Sequence, residues 1–258
     1  MTRALSWLHG LQWWQVTALL LLMNVVLRQI ALVGGEWVAR RYRHRRIIAR
    51  PTELRVEDRL GVLTLLLNTA VSAAGWLLWR RGDIEFAPAL GPAVVRDAVL
   101  LTIAMDAAMY GGHRVAHHRT LYPLVHALHH RFALPRPATL FAMHPLEVFG
   151  FGALWLTALV VFTAVGFPLT AAGIGIYVAV NLLFGTMGHV GVEPLPDRLR
   201  RSWLFRWVAT PSFHVGHHLD PRSNMGFYST VWDRMFGTLA PDYDVARAQP
   251  PVLQGLRP

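Results

Sequence analysis

Five apolar stretches in this chain approach or reach the length of about 20 residues that a helix needs to cross a bilayer. They lie near residues 13–33, 60–78, 93–111, 146–166 and 169–188. The third stretch is the least apolar, because Asp97 and Asp106 interrupt it. The pattern predicts an all-α integral membrane protein, a helical bundle of about five spans.

The composition agrees with a membrane protein and narrows the chemistry. The chain of 258 residues is 53% hydrophobic and 16% charged, which is too apolar for an ordinary soluble protein. Because it has no cysteine, disulfides, thiolate ligands and iron–sulfur clusters are excluded. A formal charge of +10 would suit nucleic-acid binding, but the distribution of that charge fits a membrane topology better.

The arginines lie mostly on one side of the predicted membrane. In a five-span topology residues 34–59, 113–145 and 189–258 share a side, and they hold 20 of the 25 basic residues, all of them arginine. The positive-inside rule places that side in the cytoplasm. The basic stretch 36–50 is expected to lie along the lipid headgroups. The lack of lysine is typical of a GC-rich genome, so we expect a bacterial inner membrane. We expect no nucleic-acid partner, because binding nucleic acid would need a soluble basic face with base-stacking aromatics.

Three dense histidine clusters fall on the predicted cytoplasmic side, where they predict a histidine-rich helical cap. They read HRVAHH from His113, HALHH from His126 and HVGHH from His214. Residues i, i+3 and i+4 share a helix face, and imidazole is the commonest protein ligand of transition metals. Eight imidazoles exceed what one ion uses, so two metal ions are the economical interpretation. The candidate ligands are His113, His117, His126, His129, His130, His214, His217 and His218.

Further histidines lie near these clusters. His189 follows the fifth apolar stretch on the metal side, and we expect it to be a ligand. His144 precedes Pro145 at the start of the fourth stretch and is a possible ligand or a helix cap. His118 should point about 100° away from His117 on a helix, so it is not expected to bind metal.

Three acidic residues are candidates for orienting the metal ligands through hydrogen bonds. Asp106 lies two helical turns before His113 on the same face, where it would orient that ring or bond to a neighbouring helix. Glu147 and Glu193 would bridge the metals, bond to a ligand histidine or lie at a helix end. A hydrogen bond to a ligand is the interpretation that we favour for both.

Residues 106–147 and 189–238 resemble the membrane-bound fatty acid hydroxylase/sterol desaturase superfamily. The HxxxH, HxxHH and HxxHH boxes match in order and spacing, and so do the N-x-G motif at Asn224 and the segment WDRMFGT. The resemblance implies a non-haem di-iron centre on the cytosolic face of a helical membrane bundle. It implies ligand roles for the eight box histidines and for His189, and it adds Asn224 as a candidate for supporting them.

The activity that the resemblance implies is O2-dependent oxidation of a lipid. We expect insertion of oxygen into an unactivated C–H bond of a fatty acyl chain, a sterol or a related lipid, with desaturation as the alternative. Hydroxylation is favoured because it needs one hydrogen abstraction rather than two. The expected cofactors are two iron ions with O2 as cosubstrate. Electrons are expected from a separate ferredoxin or cytochrome b5-like protein with its reductase.

The chain is divided into three parts on this interpretation. Residues 1–92 form an N-terminal membrane region with the basic interfacial segment, and residues 93–245 form the hydroxylase-like catalytic domain. Residues 246–258 contain consecutive prolines and little periodicity, so they are expected to be a loose C-terminal tail.

Two other kinds of membrane protein also use histidine clusters. A zinc hydrolase would need a general base beside a three-ligand zinc, commonly within HExxH, and no histidine here is followed by glutamate. A metal transporter would place its ligands along a path at mid-membrane, whereas these clusters follow the ends of the apolar stretches. Both are weaker interpretations than a di-iron oxygenase.

Overall fold

Helices dominate the fold, which we describe from a computed structural model covering residues 7, 10–49, 55–88 and 90–249. In chain order its α-helices are α1 (Trp13–Arg41), α2 (Arg55–Arg81), α3 (Pro92–Ala116), α4 (Tyr122–Val125), α5 (Ala127–His130), α6 (Pro145–Ala164), α7 (Ala171–Gly188), α8 (Asp197–Arg200), α9 (Pro211–Leu219), α10 (Val231–Phe236) and α11 (Tyr243–Ala248). Short 3₁₀ turns lie at Arg43–Arg45, Pro137–Phe141 and Leu204–Trp207. A parallel pair of two-residue strands joins β1 (Phe86–Ala87) to β2 (Leu169–Thr170). The predicted all-α class is confirmed.

Within the described residues, four helices are long and apolar enough to cross a membrane, namely α1, α2, α6 and α7. The helix α3 is as long as they are, with 25 residues, but Asp97 and Asp106 make it more polar. The prediction of about five spans thus corresponds to four apolar helices and a fifth, more polar one that packs against α6 and α7. The chain is a multi-pass membrane protein.

The long helices approach each other closely where small residues face a neighbour. A Cβ on Gly112 of α3 would lie 2.5 Å from Leu154 Cδ1 of α6, and one on Gly152 would lie 2.7 Å from Val71 Cγ2 of α2. Such close packing holds helices together in a membrane, because lipid is as apolar as the side chains themselves. Gly112 directly precedes His113, so this contact also determines where α3 presents its histidines.

Asp97 connects two helix ends remote from the histidines. Its Oδ2 accepts a hydrogen bond from Thr170 N at 2.8 Å, and its Oδ1 pairs with Arg96 at 2.9 Å. Thr170 in turn caps α7, because its Oγ1 accepts from Gly173 N at 3.1 Å. A charge in the third apolar stretch is tolerated here because it lies near the start of α3 and is fully hydrogen-bonded.

The basic segment 36–50, which is expected along the lipid headgroups, also contacts protein. The helix α1 includes the segment as far as Arg41. The chain then turns onto the histidine-bearing cap, which we define as residues 113–144 and 189–249. Arg45 Nε donates to Glu193 O at 2.7 Å, and Ile47 and Ile48 are buried in a small apolar cluster. Arg45, Ile47 and Ile48 therefore pack on protein.

The C-terminal region is docked on the cap through α11. Arg247 is buried and donates to Arg200 O, while Arg200 donates to Arg247 O in return. The expected loose tail, 246–258, therefore begins inside a docked helix. Residues 250–258 of that tail lie outside the described residues.

Candidate metal centre

Five histidines from three parts of the chain converge at the end of α3. Each offers a ring nitrogen, and these atoms all lie within 4.8 Å of one another. The last turn of α3 provides two of them at i, i+4 spacing, the α4–α5 segment provides two, and α9 provides one. We call this the five-histidine group; its members are His113, His117, His126, His130 and His217.

Four further histidines form a second convergence. Their ring nitrogens also lie within 4.8 Å of one another. One comes from α5, one from the residue that directly follows α7, and two from α9 at i, i+4 spacing. We call this the four-histidine group; its members are His129, His189, His214 and His218.

The two HxxHH boxes each contribute to both groups. On α5 the neighbours His129 and His130 belong to different groups, and on α9 so do His217 and His218. Consecutive helical residues point about 100° apart, so one turn of helix presents imidazoles in two directions. The groups adjoin, since the ring centroids of His130 and His218 are 4.9 Å apart. The structure thus brings all nine expected ligands into one contiguous cluster.

Backbone carbonyls set the ring orientation of several of these histidines. His113 Nδ1 lies 2.7 Å from Met225 O, His217 Nδ1 lies 2.7 Å from Ser223 O, and His189 Nδ1 lies 2.8 Å from Gly185 O. A carbonyl oxygen can only accept, so each Nδ1 carries the proton and donates it. The Nε2 atom of each neutral ring is therefore left with a free lone pair, as a metal ligand requires.

Glu147 has the same effect on His126. His126 Nδ1 lies 2.7 Å from Glu147 Oε1, and both side chains are buried. A carboxylate in this position accepts the Nδ1 proton, fixes the tautomer and increases the basicity of the ring. This is the contact that we expected for Glu147 from the sequence.

The distances between ring nitrogens fit a bound cation. His113 Nε2 and His126 Nε2 lie 3.0 Å apart, although both rings donate from Nδ1 in another direction. Two lone pairs at this distance repel each other unless a positive charge lies beside them both. Two nitrogens bound to one metal at about 2.1 Å and at about a right angle are about 3.0 Å apart. His189 Nε2 is also buried without a hydrogen-bond partner in the described structure, as a ligand atom would be.

Burial keeps these imidazoles neutral. It lowers the pKa of His130 to about 3, with nearby imidazoles lowering it further. Burial likewise holds the pKa of His217 and His218 well below the usual range, and the surrounding imidazoles act in the same direction. Neutral imidazole is the form that binds metal, so these rings are available as ligands at physiological pH.

Asp106 lies beside the cluster and supports it from a distance. It accepts hydrogen bonds from Tyr228 N at 3.3 Å, Ser229 N at 3.2 Å and Trp232 Nε1 at 3.1 Å. Among the described residues it has no hydrogen bond to a histidine ring. Asp106 therefore binds the segment that follows Met225, whose carbonyl oxygen in turn accepts from His113.

Glu193 and Asn224 both brace α9 rather than a ring. Glu193 Oε2 accepts from Ser212 N at 3.2 Å and Ser212 Oγ at 2.6 Å, in the first turn of that helix. Asn224 adopts a φ of 57°, which its short polar side chain tolerates, and its Nδ2 donates to Phe213 O at 3.2 Å. Both residues position the helix that carries three of the histidines.

His144 and His118 lie outside both histidine groups. His144 is the N-cap of α6, where its Nδ1 accepts from Leu146 N at 3.2 Å. This is the helix-capping role that the sequence left open beside the ligand role. His118 is exposed, as expected from its direction on the helix.

Asp233 is a supporting residue that sequence reasoning missed. Its two carboxylate oxygens accept from Met225 N and Gly226 N, each at 2.7 Å, and Thr238 Oγ1 also donates to it. A Cβ on Gly226 would lie 2.7 Å from Asp233 Oδ2, so glycine is needed for this approach. Asp233 thereby holds the peptide whose carbonyl accepts from His113. The sequence feature that could have identified Asp233 was its position inside WDRMFGT, one of the segments that carry the family resemblance.

A cavity of about 340 Å³ runs from the histidines into the helical bundle. Five of the nine histidines line it, as does Glu147. Much of its wall is apolar, with contributions from Met105, Met109, Phe151, Trp155, Leu182 and Phe227. An apolar molecule bound in this cavity would therefore lie beside the histidines.

Comparisons with known proteins agree with this geometry. The sequence profile named fatty acid hydroxylase matches residues 98–238. The methylsterol monooxygenase 1 of Gallus gallus is 33% identical over 163 residues, which cover 63% of this chain and 49% of that protein. The lathosterol oxidase of Mus musculus is 32% identical over 134 residues, which cover 52% and 41%. A very-long-chain aldehyde decarbonylase of Arabidopsis thaliana is 29% identical over 185 residues, which cover 69% and 27%.

The matching region contains both histidine groups and the helices that present them. The chain spans about a quarter to a half of the length of these curated relatives. No solved structure shows a significant match to this chain. The family profile covers more than half of the chain, including every histidine of the cluster. The protein therefore belongs to the fatty acid hydroxylase family.

Proposed function

We propose that the nine clustered histidines hold two iron ions and that the protein is an O2-dependent lipid hydroxylase. The observation that carries the proposal is the position of the cluster: two adjoining imidazole groups contribute histidines to the lining of a largely apolar cavity within a membrane bundle. The relatives include a sterol monooxygenase and a sterol oxidase, which supports an oxidative reaction on a lipid.

Iron bound here would supply activation of O2 and oxidation of an unactivated C–H bond. The overall reaction consumes R–H, O2, two electrons and two protons, and it yields R–OH and water. The electrons come from a separate carrier, a ferredoxin or a cytochrome b5-like protein with its reductase. A ligand set rich in imidazole distinguishes this centre from the soluble four-helix di-iron proteins, which use glutamates.

The chain's own residues have three tasks in this reaction. His113, His189 and His217 are held by carbonyls so that each Nε2 faces the metal position. Glu147 accepts the Nδ1 proton of His126, which leaves Nε2 free for metal and makes this ring a stronger metal ligand. The apolar cavity wall binds the lipid and excludes water from the reacting carbon.

Desaturation is the alternative on the same site. Both outcomes begin with removal of hydrogen from a lipid carbon. Hydroxylation then adds one oxygen atom to that carbon, whereas desaturation removes a second hydrogen from the neighbouring carbon, so that the lipid, O2, two electrons and two protons yield an alkene and two waters. A zinc hydrolase and a metal transporter are less consistent with nine converging imidazoles at the helix ends. We propose that this end of the bundle faces the cytoplasm of a bacterial inner membrane, where electron carriers are available.

The proposal is tested by metal analysis and product analysis on purified protein in lipid nanodiscs. We expect two iron atoms per chain by mass spectrometry. With isotopically labelled O2 and a chemical or protein reductant, we expect a lipid product that has gained one labelled oxygen atom. A product lacking two hydrogens would identify a desaturase, and a protein that retains zinc alone and consumes no O2 would contradict the proposal.

A further inference from the structure

A half-buried charged side chain on a membrane helix has no acidic partner among the described residues. Arg28 belongs to α1, which is apolar enough to cross a membrane. Charged residues in such helices usually pair with an opposite charge or face a polar cavity. No carboxylate in the described ranges lies within ion-pair distance of Arg28, and its Nε is buried without a hydrogen-bond partner there. An anionic ligand would neutralise the charge of Arg28.

The guanidinium of Arg28 points into the cavity that leads to the histidines. Its Cζ lies 5.7 Å from the centre of the Phe141 ring, and both residues line that cavity. A Cβ on Gly61 of α2 would lie only 3.0 Å from Arg28 Nη2, so the absence of a side chain at Gly61 leaves room for the group. The next residue after Phe141 is Ala142, whose carbonyl oxygen lies 3.4 Å from His129 Nδ1. Arg28 and the histidine cluster thus line the same cavity.

Neutral polar side chains accompany Arg28 on the same wall. Thr64 and Asn68 of α2, at i, i+4 spacing, line the cavity, and so does Asn24 one turn before Arg28 on α1. Thr64 Oγ1 is buried and has no hydrogen-bond partner in the described structure. Hydrogen-bonding groups on one wall and apolar groups on the other are what an amphiphilic ligand requires.

We propose that Arg28, assisted by Thr64 and Asn68, binds the carboxylate of a long-chain acid, so that the substrate is an anionic acyl lipid. This inference rests on the proposed lipid oxidation. A guanidinium matches a carboxylate through two parallel hydrogen bonds, and the pairing is strong where water is excluded. The carboxylate neutralises Arg28 and satisfies its buried Nε, while the alkyl chain lies along the apolar wall. Arg28 is therefore a specificity-determining residue.

The test compares two ligands that differ in the head group alone. The full chain is placed in nanodiscs of neutral lipid, and equilibrium binding of radiolabelled dodecanoate and dodecanol is measured, with empty nanodiscs subtracted. We expect wild type to prefer dodecanoate. Arg28→Gln should weaken dodecanoate binding by about tenfold or more and leave dodecanol binding within about twofold. Arg28→Lys should retain part of the preference, because it keeps the charge but not the planar fork.

A matched control removes a charge from the same helix. Arg40 of α1 is exposed, with its side chain 74% accessible, and it pairs with Glu36. Arg40→Gln should leave the binding of both ligands unchanged. Equal losses for dodecanoate and dodecanol in Arg28→Gln would assign Arg28 a structural role and overturn the inference. An unchanged preference for dodecanoate in that variant would overturn it as well.

Binding is measured without reductant, so the two proposals can fail separately. A protein that holds no iron but binds dodecanoate through Arg28 would contradict the proposed oxygenase activity and support the carboxylate subsite. If wild type and Arg28→Gln oxidise a neutral lipid equally well, the carboxylate subsite is contradicted and the oxygenase activity is supported. Folding of each variant is checked by its melting temperature in nanodiscs.

Discussion

His217 and His218 are neighbours in the sequence, yet their rings belong to different histidine groups. Their ring planes are inclined by 79°, with the centroids 6.0 Å apart. His217 lies 3.1 Å from His130 through the Nε2 atoms, and His218 lies 3.1 Å from His214 in the same way. One turn of α9 therefore contributes to both candidate metal positions, which couples them through a single helix.

Substituting each of these two neighbours should affect a different metal ion. We expect His217→Ala and His218→Ala each to lower bound iron from two atoms per chain to about one, and each to abolish lipid oxidation, because both ions are needed. Metal content by mass spectrometry and a product assay give the measurement. His118→Ala is the matched control, since His118 is exposed and outside both groups. Equal metal loss in all three variants would refute the assignment.

Gly188 leaves room for the ring of His214, and a methyl group there should displace it. A Cβ on Gly188 would lie 2.9 Å from His214 Cδ2 and 3.1 Å from His214 Cγ, which is too close for a ring held within the cluster. We expect Gly188→Ala to weaken metal binding at the four-histidine group selectively, with one of two iron atoms lost on dialysis. Gly175→Ala is the control, because a Cβ there would meet nothing within 4 Å. Retention of both irons in Gly188→Ala would show that the ring adapts.

Glu147 should determine the strength of the His126 ligand. Removing the carboxylate in Glu147→Ala leaves the buried Nδ1 of His126 without a partner, and loss of such a hydrogen bond typically costs about 10- to 100-fold in metal affinity. We expect Glu147→Gln to fall between wild type and Glu147→Ala, because an amide oxygen still accepts but carries no charge. Competition with a chelator measures the affinity. Glu85→Gln, at an exposed position, should have no effect; a wild-type affinity in Glu147→Ala would contradict this role.

Asp233 should contribute mainly to the stability of the cap. In Asp233→Asn one of the two backbone N–H groups of Met225 and Gly226 faces an amide N–H, so a buried donor is left unsatisfied. We expect a loss of about 1–3 kcal/mol in the free energy of unfolding, as is usual for such a group. Unfolding monitored in detergent or nanodiscs measures it. The exposed Asp242→Asn variant should behave like wild type, and an unchanged stability in Asp233→Asn would rule out the role.

Removal of the metal should loosen the cap but leave the bundle intact. Without cations, the facing Nε2 lone pairs of His113 and His126, 3.0 Å apart, repel each other. Because binding free energy also stabilises the folded site, chelation should increase hydrogen exchange in α5 and α9. Exchange in α6 and α7, which lie in the membrane, should stay constant. Uniform exchange before and after chelation would mean that metal does not support the cap.

Local patterns in the sequence were sufficient for the main elements and for the nine histidines that converge in the structure. Four of the five predicted apolar stretches correspond to helices that can cross a membrane, because bilayer thickness translates directly into helix length. The histidine boxes were recognised by their spacing, which reflects helical periodicity. Membership of the fatty acid hydroxylase family was also evident from those motifs, and the family profile confirms it.

The tertiary structure alone decided which ligands share a group. Helical periodicity indicates that His129 and His130 point in different directions, but it does not identify their partners. All the partners of His129 lie about 60 to 90 positions further along the chain, whereas His130 meets both nearby histidines and the distant His217. The support given by Asp106 through the 228–232 segment and by Asp233 through Met225 depends on long-range contacts of the same kind. So does the cavity wall that α1 and α2 provide, with Arg28 in it. Spacing along a chain determines which way a side chain points on its own helix, whereas packing between distant segments determines what it meets.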